Sequence, residues 1–196
     1  MNYWKHSLLS KKKFGGSAHD YLSIHKFMDS SKLYFFDIKH RALLHNTYGI
    51  DLCIMKFGDF IVNAENKTIL VRDIAAEHCK EDLLGVVPTL AHWFRHCDTA
   101  VEEHIAHIQI QDNALQEFLV KPYIMSGLKS SLMITHSNFG VYLVNEFFDT
   151  SRALDLANQL QGKTVDAFMP YLKLRERWQY SPDLKQLKTI DNELLQ

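Results

Sequence analysis

The chain lacks the motifs that would place it in a common class of enzyme. It contains no glycine-rich dinucleotide loop, no P-loop, no GxSxG serine-hydrolase elbow and no HExxH zinc helix. Dinucleotide binding, P-loop nucleotide hydrolysis, elbow-type serine hydrolysis and zincin proteolysis are therefore poorly supported.

Charge excess, paired cysteines and long apolar runs are missing as well. Lys and Arg number 22 against 23 Asp and Glu, so no net charge attracts nucleic acid or an anionic membrane. Cys53, Cys79 and Cys97 form no CxxC pair, which predicts reduced thiols. The apolar run before the first lysines is too short for a signal peptide, and no stretch has membrane-spanning length. We expect a cytoplasmic protein with no membrane partner.

Amphipathic helical periodicity is what the chain does have. Apolar residues recur every three or four positions after Asp29, which predicts one long helix over about residues 31–56, kinked at Gly49. Two β-rich runs follow and predict a single hairpin over about residues 60–72. Later segments return to helical periodicity, with a break predicted at Pro122.

These patterns predict a mainly α fold with one small β-hairpin. We expect a histidine-rich N-terminal module over residues 1–97 and a helical C-terminal extension over residues 98–196. The two parts could also form one continuous domain.

Histidine is distributed unevenly, since ten of the eleven histidines precede residue 110. Packed helices need no such concentration, whereas a metal site or an acid–base centre uses imidazole because it titrates near neutral pH and binds borderline metals. The N-terminal half is therefore where we expect a functional site.

The segment HRALLH contains His40, Arg41 and His45. Five residues along a helix correspond to about 140° around its axis, so His40 and His45 do not share a helical face. One of them could serve a site, but a side-by-side chelating pair is disfavoured. In the structural alternative, Arg41 pairs with Asp37 and the histidines cap or pack.

Two histidine–carboxylate pairs have better spacing. His25 with Asp29, and His78 with Asp82, are four residues apart, so each pair lies on one helical face. Such a pair can bind one metal ion through nitrogen and oxygen, or the carboxylate can fix the imidazole tautomer. Considered separately, either pair could instead lie on the protein surface in contact with water.

Two other segments have a structural interpretation. His92, His96 and Cys97 could bind zinc, but no fourth ligand is identifiable and the neighbouring aromatic residues indicate a packed helix. The run KKKFGG, residues 11–16, could contact phosphate through lysines and glycine amides, although a solvated basic turn is the simpler interpretation.

The order of short motifs in the first half resembles an uncharacterised family of bacterial and phage proteins, a domain of unknown function. The motifs are His6, KFGG (13–16), DYLSIH (20–25), Asp29, SK (31–32), HRALLH (40–45), GI (49–50), FG (57–58), VR (71–72), EH (77–78), ED (81–82), PT (88–89) and Trp93. Because this family has no assigned activity, the resemblance implies no function, but it indicates which positions are candidates for a site. His6, His25, Asp29, His40, Arg41, His45, His78 and Asp82 all fall on these motifs.

The leading hypothesis is a small metal-dependent hydrolase of a phosphate ester or nucleotide. We expect a divalent ion of zinc, manganese or iron to be held by residues from the set His25, Asp29, His40, His45 and His78. The ion would activate water, Asp82 would take the proton, and Arg41 or a lysine of 11–13 would bind the phosphate.

The rival hypothesis is a non-enzymatic accessory protein, phage-encoded and directed at a host protein, whose histidines are structural. Its aromatic segments FGVYLVNEFF and MPYLKLRERW would then form a partner surface or a homo-oligomer interface. A nucleic-acid accessory role is disfavoured by the near-neutral charge.

Overall fold

The computed structural model describes residues 1–97, 105 and 108–180. Over these residues the chain is mainly α-helical and contains one antiparallel pair of strands, so the predicted fold class is confirmed. No described helix combines the length and apolarity needed to span a bilayer.

The chain divides into two units that are discontinuous in sequence. The first unit contains residues 1–31, residues 44–87 and the segment that begins at Glu176, and the second contains residues 32–43 and 88–175. The boundary expected near residue 97 stays a prediction.

Four helices and the hairpin build the first unit. They are α1 (Tyr3–Phe14), α2 (Ala18–Met28), α4 (Thr47–Phe57), β1 (Phe60–Val62), β2 (Thr68–Leu70) and α5 (Val71–Asp82), while the short α3 (Arg41–Leu44) begins in the second unit. The two strands pair Phe60 with Leu70 and Val62 with Thr68, as the predicted hairpin requires.

The prediction of one long helix over residues 31–56 is wrong. The chain forms 3₁₀ turns at Asp29–Leu33 and Ile38–His40, then α3, and it breaks at residues 45–46 before α4 begins. The side chain of Asn46 accepts a hydrogen bond from the Gly49 amide at 3.1 Å and so caps a new helix. Periodicity cannot reveal this break, because capping is decided by a local hydrogen bond rather than by apolar spacing.

Gly49 also has a different role from the predicted kink. A Cβ atom at this position would lie 1.8 Å from the carbonyl oxygen of Leu44, so only glycine permits the tight turn into α4. The second unit repeats this turn: a Cβ at Gly140 would lie 1.9 Å from the carbonyl oxygen of Thr135. His45 and His136 are the residues that follow these two carbonyl groups.

The described part of the second unit is mainly helical, with an isolated β-bridge between Cys97 and Leu172. Its helices are α6 (Leu90–Phe94), α7 (Asn113–Ser126), α8 (Asn138–Phe147), α9 (Thr150–Leu160) and α10 (Val165–Phe168), with 3₁₀ turns at Lys129–Met133 and Met169–Tyr171. Pro122 lies inside α7, so the break predicted there is wrong. Most of the predicted segment VEEHIAHI lies outside the described residues.

The KFGG segment serves the fold of the first unit. Asn63, buried in the hairpin, donates from Nδ2 to the Phe14 carbonyl at 3.3 Å and to the Tyr21 hydroxyl at 3.2 Å. Its Oδ1 accepts hydrogen bonds from the backbone amides of Glu65 and Lys67, each at 3.0 Å. The turn after α1 is thereby tied to the hairpin loop, which favours the structural interpretation over phosphate binding.

Replacing Asn63 with alanine should lower the free energy of unfolding by about 1–3 kcal/mol, because buried hydrogen-bonding groups lose their partner. Urea denaturation measures this change. Lys67→Ala is the control, since it removes an exposed side chain of the same loop and should leave the midpoint nearly unchanged. Equal effects of the two substitutions would contradict the structural role assigned to Asn63.

Candidate metal centre

Six imidazole and carboxylate side chains come together inside the first unit, and each is at most 5% exposed. They are His6 on α1, His25 on α2, Asp29 directly after α2, His45 in the turn before α4, and His78 and Asp82 on α5. Each helix brings its donors from one face, because His25 and Asp29, like His78 and Asp82, are one helical turn apart. The spacing of these pairs thus has a geometric counterpart in the fold.

His78 lies at the centre of the cluster and uses both ring nitrogens. Its Nδ1 is 2.9 Å from Nδ1 of His25, and its Nε2 is 3.0 Å from Nε2 of His45 and 3.5 Å from Oδ1 of Asp29. Two imidazole nitrogens at this distance must share either a proton or a cation, because two bare lone pairs would repel each other.

The two carboxylate oxygens of Asp82 each lie near a different histidine. Its Oδ2 is 3.2 Å from Nε2 of His45, and its Oδ1 is 3.6 Å from Nε2 of His6. The amino group of Met1 is 2.8 Å from the same Oδ1. The two oxygens of this carboxylate are therefore directed to opposite sides of the cluster.

His6 and Glu81 belong to the cluster although neither was among the predicted site residues. The ring of His6 stacks on that of His78 with 3.8 Å between centroids, and its Nδ1 is in hydrogen-bond contact with Oε2 of Glu81. Within the described part of the chain, Nε2 of His6 is buried without a hydrogen-bond partner. An unsatisfied buried nitrogen costs about 1–3 kcal/mol, which a bound ligand would offset.

Burial favours the neutral form of His6, His25 and His45. It lowers the pKa of His6 and His25 well below the usual value, and neighbouring His78 lowers both further. Burial lowers the pKa of His45 to about 4, although its hydrogen bond to Asp82 acts in the opposite direction. Burial, together with the nearby Asp82 charge, raises the pKa of Glu81 to about 8. Neutral imidazole is the form that binds metal ions.

The distances among four donor atoms suit the coordination shell of a metal ion. Around an ion with bonds of about 2.1 Å, adjacent ligand atoms are about 3.0 Å apart in octahedral and about 3.4 Å apart in tetrahedral geometry. Nε2 of His45 lies 3.0, 3.2 and 3.8 Å from donor atoms of His78, Asp82 and Asp29. Small shifts would place all four atoms around one ion.

His40 and Arg41 are buried in the second unit, where they end a 3₁₀ turn and begin α3. Among the described residues, His40 is not in the groups whose ligand atoms all lie within 4.8 Å of one another, and neither is His45, although His45 lies 3.0 Å from His78 and 3.2 Å from Asp82. The predicted roles of His40, as a metal ligand, and of Arg41, as a phosphate-binding group, stay predictions.

The remaining described histidines have local explanations. His92 is exposed and contacts the Thr89 hydroxyl through Nδ1 at 2.9 Å, which caps α6, and His96 is exposed as well. His136 is buried, with Nδ1 3.1 Å from the Thr135 hydroxyl. His104 and His107 lie outside the described residues.

The N-terminal half of the chain matches a known protein family. Residues 1–103 match the family described as a domain of unknown function, DUF6915. Among curated proteins and solved structures, nothing matches the chain. The predicted resemblance of the N-terminal half to an uncharacterised family is confirmed.

The neutral histidines predict loss of stability in acid. Unfolded histidines have a pKa near 6.5, so below that pH the unfolded chain binds more protons than the folded chain. We expect each of His6, His25 and His45 to lower the free energy of unfolding by up to about 1.4 kcal/mol per pH unit below pH 6.5. For His45 this loss ends at its folded pKa of about 4. Glu81, with a raised pKa, opposes one of these contributions.

Urea denaturation at intervals between pH 7 and pH 5 measures this slope. His45→Gln should reduce the slope by close to one histidine's share, whereas His19→Gln, at an exposed position on α2, should not change it. A free energy of unfolding that is constant over this interval would contradict the neutral state of the cluster.

Proposed function

This chain belongs to the DUF6915 family, and we propose that its buried cluster binds a divalent transition-metal ion that serves the hydrolysis of a phosphate ester. The observation that carries the proposal is the convergence of His45, His78, Asp29 and Asp82, at spacings close to those of a metal coordination shell. Nε2 of His45 lies 3.0 Å from Nε2 of His78, 3.2 Å from Oδ2 of Asp82 and 3.8 Å from Oδ1 of Asp29, which supports the proposal.

The donor set favours particular metals. Calcium and magnesium prefer shells of oxygen alone, whereas mixed imidazole and carboxylate sites suit zinc, manganese and iron. Two buried carboxyl groups, Asp29 and Asp82, and the partly buried Glu81 lie close to the histidine rings of the cluster, and burial lowers the pKa of His6 and His45. Neutral rings do not balance the negative charge of these carboxylates, whereas a divalent cation would.

The proposed chemistry is activation of water. A bound divalent ion lowers the pKa of its water toward neutrality. The carboxylate of Asp82 is the proposed acceptor of the water proton, because a carboxylate beside the proposed ligands could act as a general base. Arg41 is the proposed phosphate-binding group, and this assignment is a separate part of the hypothesis.

Burial favours a second candidate function. Because the six side chains are at most 5% exposed, a phosphate ester can reach them only when surrounding helices move. A metal ion that only holds α1, α2 and α5 together would need no such opening, as in structural sites whose coordination is closed. In that case the chain is a non-enzymatic binding protein with structural histidines.

Metal content tests the proposal directly. The purified chain, stripped with a chelator and reloaded with Zn²⁺, Mn²⁺ or Fe²⁺, should retain bound metal after desalting, and its thermal midpoint should rise because ligand binding stabilises the folded state. His45→Gln and Asp29→Asn should weaken binding by at least about tenfold. His19→Gln on α2 should bind like the unmodified chain.

Hydrolysis of p-nitrophenyl phosphate and of bis(p-nitrophenyl) phosphate by the reloaded chain separates the two candidates. Metal-dependent turnover that is lost in Asp82→Asn supports the hydrolase. Bound metal and a raised thermal midpoint without turnover support the structural metal. A chain that retains no metal from any of the three ions would overturn both.

A further inference from the structure

The ring of His6 has a buried nitrogen that the proposed ligand set does not use. Its Nε2 has no hydrogen-bond partner among the described residues and lies 3.6 Å from Oδ1 of Asp82. Ligand atoms of four residues all lie within 4.8 Å of one another, and these residues are His6, Asp29, His78 and Asp82. Opposite ligands of an ion with bonds of about 2.1 Å are about 4.2 Å apart, so small shifts would bring one ion within reach of His6 as well.

Glu81 contacts the other nitrogen of the His6 ring. Its Oε2 is in hydrogen-bond contact with Nδ1 of His6, and its side chain is 16% exposed, whereas the ring is fully buried. A neutral imidazole has one N–H, so a ring that donates from Nδ1 to Glu81 keeps on Nε2 the lone pair that a metal ion requires. Metal-binding histidines almost always donate their second nitrogen to an acceptor of this kind.

His78 has the corresponding arrangement, with a histidine as the acceptor. Its Nε2 is 3.0 Å from Nε2 of His45 and 3.5 Å from Oδ1 of Asp29, which are two of the proposed ligands. Its Nδ1 is 2.9 Å from Nδ1 of His25. If Nε2 of His78 binds the ion, its N–H is on Nδ1, and Nδ1 of His25 must accept that proton.

The remaining contact of His25 completes this arrangement. A ring that accepts through Nδ1 carries its own proton on Nε2, and Nε2 of His25 lies 2.8 Å from the hydroxyl oxygen of Ser10, which can accept it. Both nitrogens of His25 are then engaged, so the ring has no lone pair left for a metal ion.

We infer that His6 is a further ligand of the single proposed ion, and that Glu81 and His25 are positioning residues that hold the rings of His6 and His78 through Nδ1. This inference rests on the proposed function, because it concerns the same ion. The stacked rings of His6 and His78, with centroids 3.8 Å apart and planes within 29°, would then both bind through Nε2. His25, a ligand in the prediction from sequence, is instead one hydrogen bond away from the ion.

The test is proton NMR spectroscopy of the unmodified chain loaded with one equivalent of Co²⁺, which accepts the same ligand types as Zn²⁺. A histidine that binds this paramagnetic ion through Nε2 keeps an Nδ1–H close to the ion, and this proton gives a strongly shifted signal that disappears in D₂O. We expect three such signals, from His6, His45 and His78. This measurement depends on no variant folding.

Variants then separate the ligands from the positioning residues. His6→Gln should leave two shifted signals, whereas His25→Gln should keep three, because the amide oxygen can still accept the proton of His78. Circular dichroism establishes that each variant is folded before its signals are counted. Three signals in His6→Gln, or two in His25→Gln, would overturn the assignment of the respective residue.

The affinity for Co²⁺ tests Glu81 by competition with a chelator. Glu81→Leu should weaken binding about 10–100-fold, because His6 loses the acceptor that orients it, whereas Glu81→Gln keeps an acceptor oxygen and should restore most of the affinity. Glu77→Leu is the matched control, since Glu77 lies one turn earlier on α5, is similarly exposed at 17% and contacts Lys13. Equal weakening by Glu81→Leu and Glu81→Gln would overturn the positioning role.

These outcomes are distinguishable from failure of the proposed function. One bound ion with only two shifted signals in the unmodified chain overturns His6 as a ligand, and four signals overturn the positioning role of His25. Both results leave a single metal site in place. A chain that retains neither Co²⁺ nor Zn²⁺, Mn²⁺ or Fe²⁺ overturns the proposed function itself.

Discussion

The burial of His78 between α1, α2, α5 and the turn before α4 is the constraint on which the first unit depends. An imidazole removed from water must have its nitrogens satisfied, and here each nitrogen faces another histidine within 3.0 Å. His25 and His45 must then be held by their own partners, Ser10 and Asp82. The positions of the surrounding helices and of the turn before α4 therefore all depend on the ring of His78.

Burial of the cluster favours metal binding but hinders the access of a substrate. Low solvent access strengthens every electrostatic interaction inside it and keeps its histidines in the metal-binding form. The same enclosure excludes a bulky substrate. A catalytic role would require helices of the first unit to separate, whereas a structural role would use the packing as it stands.

The sequence was sufficient for the fold class and the hairpin, which apolar periodicity encodes, and for the family, which the order of short motifs indicates. It did not give the contacts inside the cluster, where Asp29 lies near His45 and His78 and Asp82 lies near His6 and His45. It was insufficient where a single local interaction decides the outcome. Asn46 ends one predicted helix and begins another through one side-chain hydrogen bond. His6 has no ligand-like partner nearby in sequence, since Glu81 and Asp82 approach it only through the packing of α1 against α5.

The same tight turn occurs before Gly49 in the first unit and before Gly140 in the second, so the buried histidines in the two turns can be compared. His136 occupies the same corner as His45, and burial lowers the pKa of both to about 4, yet His136 has a threonine hydroxyl beside it where His45 has a second imidazole and a carboxylate. A buried histidine is therefore present at this turn in both units. The two turns therefore differ in the side chains beside the buried ring, and only the turn of the first unit brings its histidine next to a second imidazole and a carboxylate.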